Sequence, residues 1–272
     1  MTMFRKLVLA TAIVGGCTGP TGTDSTDDSD GVVNYPSDFT TGKHRATALT
    51  LEAEGSGADL DADGVEDNNL PFVLETADLA VKDLDMSLET FGAQIDTAIE
   101  DGTLNMLLDS VQAQGSLDVH VLSGVLMDDD QLHVDPQSLT EQGDPRTQLQ
   151  GEFSASIEFS VSADNAELVV PFVAGEPPSV VPLERVTFWG TMDGESVDAV
   201  IAGVIPSEQL ASDVLAPLIP EEGVGSQSKE SLLSTLKTLS ALETISDIDL
   251  GDGRRGVSCA FRVKASAATW VE

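Results

Sequence analysis

Glu152-Phe153-Ser154-Ala155-Ser156-Ile157-Glu158-Phe159-Ser160-Val161 alternates polar and apolar residues without a break. A period of two places every apolar side chain on one face of an extended strand and every polar one on the other. Asp164-Asn165 reads as the turn that follows, and residues 168–173 as the return strand. The same grammar continues on both sides. Residues 186–192 and 197–205 flank Asp193-Gly194, a hairpin signal. Val119, Val121, Val125 and Met127 mark earlier strands broken by Asp128-Asp129-Asp130, and a polar loop with prolines spans residues 136–146. Thr47, Leu49, Leu51 and Ala53 alternate with Ala48, Thr50, Glu52 and Glu54 near the start of the ordered chain, and residues 257–265 give a last strand.

Elsewhere the period changes. Leu84, Leu88, Phe91, Ile95 and Ile99 recur at steps of three and four, the stripe of an amphipathic helix, with Gly102 placed to end it. Residues 70–74 read as a short helix or an extended crossing. Pro206-Ser207-Glu208 opens a helix carrying Leu210, Val214, Leu215 and Leu218, with Ser207 as N-cap. Leu232, Leu236, Leu239 and Leu242 mark another. Hairpin-linked strands with a few helices predict an α+β, β-rich fold: a single antiparallel sheet or sandwich-like domain with a few amphipathic helices. The body expected is residues 45–272, preceded by a signal segment at 1–16 and a disordered acidic tether at 17–44, rich in Thr, Ser, Asp and Gly.

Asp59-Leu60-Asp61-Ala62-Asp63-Gly64-Val65-Glu66-Asp67-Asn68 is the segment whose chemistry is more specific than packing. Carboxylates at the first, third and fifth positions, Gly at the sixth, a carbonyl at the seventh and an acid at the ninth are the spacing that wraps oxygens around calcium. Asp59, Asp61, Asp63, Val65 and Asp67 are therefore the candidate metal ligands. Position twelve is Leu70 where a bidentate Glu is usual, so a further carboxylate, from Glu75 or a distant Asp, is needed. The loop resembles the half-loops of thrombospondin type 3 and dockerin modules more than a sensor EF-hand. A second acidic stretch, Asp247, Asp249 and Asp252 with Gly251 and Gly253, is looser, and Arg254-Arg255 stands ready to pair with its carboxylates.

The N-terminus addresses the chain. Arg5 and Lys6 precede an apolar run over residues 7–14, too short to span a bilayer, and Val14-Gly15-Gly16-Cys17 follows. This resembles the lipobox of bacterial lipoproteins. The resemblance implies cleavage before Cys17, lipid attachment to Cys17 and residence in the cell envelope; Thr18 at the next position favours the outer membrane. The whole layout of lipobox, acidic tether, Asp-rich loop, amphipathic helix, β-rich body and terminal Asp-rich loop is similar to uncharacterised lipoproteins of myxobacteria-like Gram-negative bacteria. It implies no known activity.

Composition excludes some functions. The formal charge is −34, with 13 Lys and Arg against 47 Asp and Glu. A surface so acidic, with Arg254-Arg255 its one basic doublet after the signal, repels nucleic acid. Self-repulsion of this size suggests a saline setting. With Cys17 lipidated, Cys259 has no partner for a disulfide. His44, His120 and His133 lack helical metal-site spacing, and no Gly-x-Ser-x-Gly elbow accompanies His133-Val134-Asp135. No catalytic constellation is recognised, and an enzyme is not expected. The reading is a lipid-anchored envelope protein with a binding or structural role, its partner an envelope protein or polymer, stabilised by calcium at one acidic loop. A carrier of a lipid or other apolar ligand is the alternative, and a hydrolase using Asp and Glu a third.

Overall fold

The computed structural model describes residues 39–271 except 82–86, 114, 128–130, 154–156, 171–178, 220, 225–226 and 241–244. Ten strands form one sheet: β1 (Phe39–Leu51), β2 (Met106–Ala113), β3 (Ser116–Leu126), β4 (Leu132–Val134), β5 (Thr147–Phe153), β6 (Glu158–Val170), β7 (Ser179–Met192), β8 (Ser196–Pro206), β9 (Ile248–Gly251) and β10 (Arg254–Ala267). Their order is β1-β2-β3-β5-β6-β7-β8-β10, and β10 pairs back onto β1 from His44↔Ala267 to Leu51↔Phe261. The sheet is antiparallel throughout and closes into an eight-strand barrel, with β4 on β3 and β9 on β10 as short additions. The expected β-rich antiparallel sheet is present, and its closure into a barrel matches a sandwich-like arrangement only loosely. Closure pairs the two edges that an open sheet would leave exposed.

Two turns differ from the reading of the sequence. The Glu152–Val161 alternation is two strands: β5 ends at Phe153, β6 begins at Glu158, and Phe153 faces Phe159 across the hairpin. Ile157, at φ 64, belongs to the connection. Asp164-Asn165 is no turn; both residues lie inside β6. Opposite them, between the pairs Ala163↔Val186 and Asn165↔Glu184, Arg185 has φ 54. There the inward-facing set flips from Phe159, Val161 and Ala163 to Ala166 and Leu168, and on β7 from Val186 and Phe188 to Leu183 and Val181. A left-handed residue resets which face points inward. In the one-dimensional pattern that break imitates a turn. At the other end, β1 starts at Phe39, within the stretch read as tether, because residues 39–45 pair with β2.

An eight-strand barrel is just wide enough to be filled by its own side chains or to hold one small ligand. Leu49, Leu117, Val119, Leu149, Phe159, Val161, Leu168, Phe188, Ile201 and Phe261 fill the interior and belong to one buried cluster. Phe159 and Phe188 meet edge-on, centroids 5.0 Å apart. Gly190, at φ 153, lets β7 press against β8: a Cβ there would lie 2.4 Å from the Asp198 carbonyl oxygen.

Helices close the end where β1 and β8 leave the barrel. α1 (Leu70–Ala80) and α2 (Leu88–Glu100) link β1 to β2, and α2 stops before Gly102 as its sequence foretold. α3 starts at Ser207–Gln209 and continues as a π turn, Leu210–Leu215, and a 3₁₀ turn, Ala216–Leu218; α4 is Lys229–Ser240. Leu74, Ile95, Leu210 and Leu236 are completely buried and join the barrel cluster. Ser207 does not cap α3; its hydroxyl donates to the Arg255 carbonyl and meets the Ser246 hydroxyl. Among the described residues no helix is long and apolar enough to cross a membrane. Outward positions on the strands include Glu152, Glu158, Asp198, Arg262 and Lys264, so the wall carries charge on its outside and apolar groups within.

Candidate functional site

β10 is longer than the part of β1 that pairs with it. Past Leu51 its outer edge would be left with free backbone groups, which is costly when buried. The connection from β1 to α1 supplies the partners. Glu52 N–H donates to the Ala260 carbonyl, and Asn69 N–H to the Ser258 carbonyl at 3.1 Å. Asn68, buried, accepts from Ala260 N–H with its Oδ1 and donates through Nδ2 to the carbonyls of Glu52 and Ala53 at 2.8 and 2.9 Å. Residues 52–69 therefore fold back over the outside of the barrel as a strap. Ala260 and Ser258 on β10 are fully buried under it. The role of Asn68 was not foreseen; its signal was an Asn-Asn pair, residues 68 and 69, set before an apolar helix start.

The acidic loop projects from this strap, and its backbone is wound by its own carboxylates. Asp59 accepts from Asp63 N–H and Gly64 N–H at 3.0 Å each. Asp61 accepts from Asp63 N–H, and Asp63 from Val65 N–H. Asp67 accepts from Leu60 N–H at 2.7 Å, beside the Ala58↔Asp67 bridge that closes the base of the loop. Gly64, at φ 90, turns where a side chain would be strained. One oxygen from each of Asp59, Asp61 and Asp67 lies within 4.8 Å of the others. Asp63 stays in the winding but outside that trio, and Val65 is exposed at 60%. Leu70 is core at the head of α1, which is why position twelve carries no acid. Three carboxylate oxygens at this separation could hold a metal ion.

The two acidic stretches, far apart in sequence, meet on this face. The Arg185 guanidinium donates to the Leu60 carbonyl at 3.2 Å and to the Asp249 carbonyl at 2.8 Å, bridging the strap to β9. Asp247 lies close enough to act on Asp67 through its charge, but its own oxygens accept from Ser258 N–H and the Ser258 hydroxyl. Burial chiefly, then the charges of Asp61, Asp247 and Asp63, holds the Asp67 carboxyl above the usual carboxylate range against the lowering effect of Leu60 N–H. The second stretch is otherwise a turn. Asp249 accepts from Gly251 N–H, Arg254 makes a two-point ion pair with Glu184 at 2.6 and 3.1 Å, and Arg255 donates to the Ser246 carbonyl. Arg254 thus pairs with Glu184 on β7, and Arg255 is held by a backbone carbonyl before β9.

The remaining candidates fall elsewhere. Cys17 lies outside the described residues. His120, on β3, sits 4.0 Å from Asp109 on the outer wall. His44 is buried between β1 and the β7–β8 turn, its Nε2 2.9 Å from the Asp193 carbonyl oxygen. Cys259 is fully buried, and that burial pushes its thiol up to about 12, so it packs as a small hydrophobe. Comparison with known protein families, with curated proteins and with solved structures finds no match to this chain.

Proposed function

We propose that the chain is a lipid-anchored cell-envelope protein, attached through Cys17, that engages its partner with the outside of a filled barrel and uses the Asp59 loop as a calcium clasp. The observation that carries the clasp is the convergence of Asp59, Asp61 and Asp67 oxygens on a point rimmed by wound backbone. Three carboxylates close together repel one another, and burial holds one of them, Asp67, above the usual carboxylate range. A divalent ion replaces that repulsion with attraction and cross-links the Asp59 loop within the strap over β10. The surface is favoured over the interior because the barrel is filled by its own side chains.

Without the bidentate acid, affinity falls in the range of extracellular modules, roughly 10⁻⁴ to 10⁻³ M. At 1 mM calcium this stabilises the fold by about 0.4–1.4 kcal/mol through mass action. Thermal unfolding in calcium against EDTA tests it: the melting temperature rises by a few degrees for the native chain and not for Asp61→Ala. Equal melting temperatures in both buffers would remove calcium from the account. The anchor is tested apart from it, by detergent-phase partitioning of the native chain and of Cys17→Ser expressed in a Gram-negative host. If both partition alike, Cys17 carries no lipid.

A further inference from the structure

β4 and β5 lie one after the other along the same edge of β3. Val134 pairs with Gly124 and Thr147 with Val121, and between them Asp135 N–H donates to the Ser123 carbonyl at 2.8 Å. Residues 136–146, the polar loop with prolines, leave the wall here and return to it. The β5–β6 pairing runs from Gln150↔Ser162 to Phe153↔Phe159, whereas β6 continues beside β7 to Val170↔Ser179. The result is a breach in the wall that holds a pocket of ≈ 80 Å³. Met106 and Val121 of the barrel cluster line it from within, and Val169 and Val180, directly opposed on β6 and β7, line it from beyond the breach. Its polar groups are under-used. Ser123 is 6% exposed and stands in phase with inward-facing Val121, yet its hydroxyl makes no hydrogen bond among the described residues. Arg146 donates through Nε to the Gln137 carbonyl at 2.9 Å, which orients the side chain and leaves its terminal N–H groups without a partner among the described residues. Glu167 is held through its backbone, whose N–H and carbonyl both bond the Thr147 hydroxyl, and its carboxylate is unbonded among the described residues. Asp135 uses one oxygen on Gln137 N–H. Arg146 and these two acids line one pocket and form no ion pair across it.

We propose that this pocket binds a small aliphatic α-amino acid in its zwitterionic form. The ligand carboxylate takes the terminal nitrogens of Arg146, a pairing that guanidinium geometry favours, together with the Ser123 hydroxyl. The ammonium lies toward Glu167 and Asp135, and the side chain rests on Met106, Val121, Val169 and Val180. An apolar recess with a few converging polar groups is the usual build of a small-molecule site. The charges reject either half of the ligand alone. A plain carboxylate answers Arg146 but is repelled by Glu167 and Asp135, and a plain amine leaves Arg146 unanswered. A molecule with both charges suits both walls and, being neutral overall, is not turned away by the net charge of −34. Size sets the class. One water position takes about 10–15 Å³, so the pocket holds roughly five to eight small groups, which admits alanine, valine or leucine and not tryptophan. The site shares no residue with the Asp59 loop or the anchor.

The test is calorimetric titration of the full chain at pH 7 and constant ionic strength with L-alanine, L-valine and L-leucine. Saturable binding is expected. It weakens at least tenfold in Arg146→Gln and at least threefold in Ser123→Ala and Glu167→Gln, with melting temperatures held within a few degrees. Ser123→Ala removes a hydroxyl that bonds nothing in the fold, so it keeps the test open should Arg146→Gln loosen residues 136–146. Isovalerate and isobutylamine, which are valine without its ammonium and without its carboxylate, bind at least tenfold more weakly than valine. Absence of saturable binding by all three amino acids overturns the proposal. Unchanged affinity in both Arg146→Gln and Ser123→Ala overturns it as well, by placing the amino acid elsewhere on the chain. Equal binding of either half-ligand does the same, because the pocket would then read a single charge or an apolar group alone.

Discussion

Asp67 shows how a single residue joins the strap to the candidate ion. Its carboxylate accepts from Leu60 N–H, which closes the loop, yet it is half-buried beside Asp61, Asp63 and Asp247. Burial raises its pKa in the folded chain above the unfolded value near 3.8. The sign follows from linkage. The folded state holds the proton more tightly, so stability from this group is full below the unfolded pKa and is lost as pH rises through the folded one. In EDTA the ionised Asp67 is therefore a liability at neutral pH. Asp67→Asn keeps an oxygen for Leu60 N–H and removes the charge. The expected outcome is a higher melting temperature than the native chain in EDTA at pH 7, converging as the pH falls toward 4. In calcium the order reverses, because the native chain gains a ligand the variant lacks. A variant less stable than the native chain in EDTA would show that the hydrogen bond, not the charge, dominates at this position.

At the scale of elements, closure of the wall depends on close strand contact at glycine. β7 approaches β8 at Gly190, where a Cβ would meet Asp198 and Ala199 backbone at 2.4 and 2.5 Å and where φ is 153. Backbone cannot yield as a side chain tip can. Gly190→Ala is expected to cost about 3 kcal/mol or more, measured by denaturant unfolding, while Gly194→Ala in the adjoining turn, with open space around it, costs far less. Equal losses would mean that β7 and β8 can separate locally. The strands themselves were legible wherever one face is core and the other solvent: residues 186–192 and 197–205 around Asp193-Gly194 fall within β7 and β8. They were misread where the pattern is symmetric under the wrong turn. Phe153 and Phe159 sit in phase whether the chain runs straight or folds back between them, so alternation alone could not locate the hairpin. Nor could it announce that β1 would reach both β2 and β10, since pairing partners leave no trace in period. The acid spacing at 59–67 was legible as a wound loop because it is local. The Asn68 anchor and the Arg185 bridge, each uniting residues more than 100 positions apart, were not.

Over the whole molecule, 47 acids against 13 bases set a field that no local pairing cancels. Glu184–Arg254, Glu221–Lys229 and the Arg262 pairs with Glu52 and Asp198 are at the surface. Exposed pairs of this kind contribute about 0–1 kcal/mol each, and salt screens them. Salt screens the repulsion among the surplus carboxylates as well, and the two effects oppose one another. The surplus decides the sign: the net charge is −34 on one chain. The screening length shrinks from about 30 Å at 0.01 M to about 3 Å at 1 M, so repulsion across the barrel is felt in dilute buffer and removed in molar salt. Folding compacts the charges, so relief of repulsion favours the folded state. Melting temperature in EDTA is expected to rise by about 5 °C between 0.01 M and 1 M KCl, corresponding to a gain of about 2 kcal/mol for a chain of this size. EDTA keeps the Asp59 loop out of the measurement, so the rise reports charge density alone. A flat or falling curve would mean that the surface pairs outweigh the surplus, and the acidity would then need a cause other than life in salt.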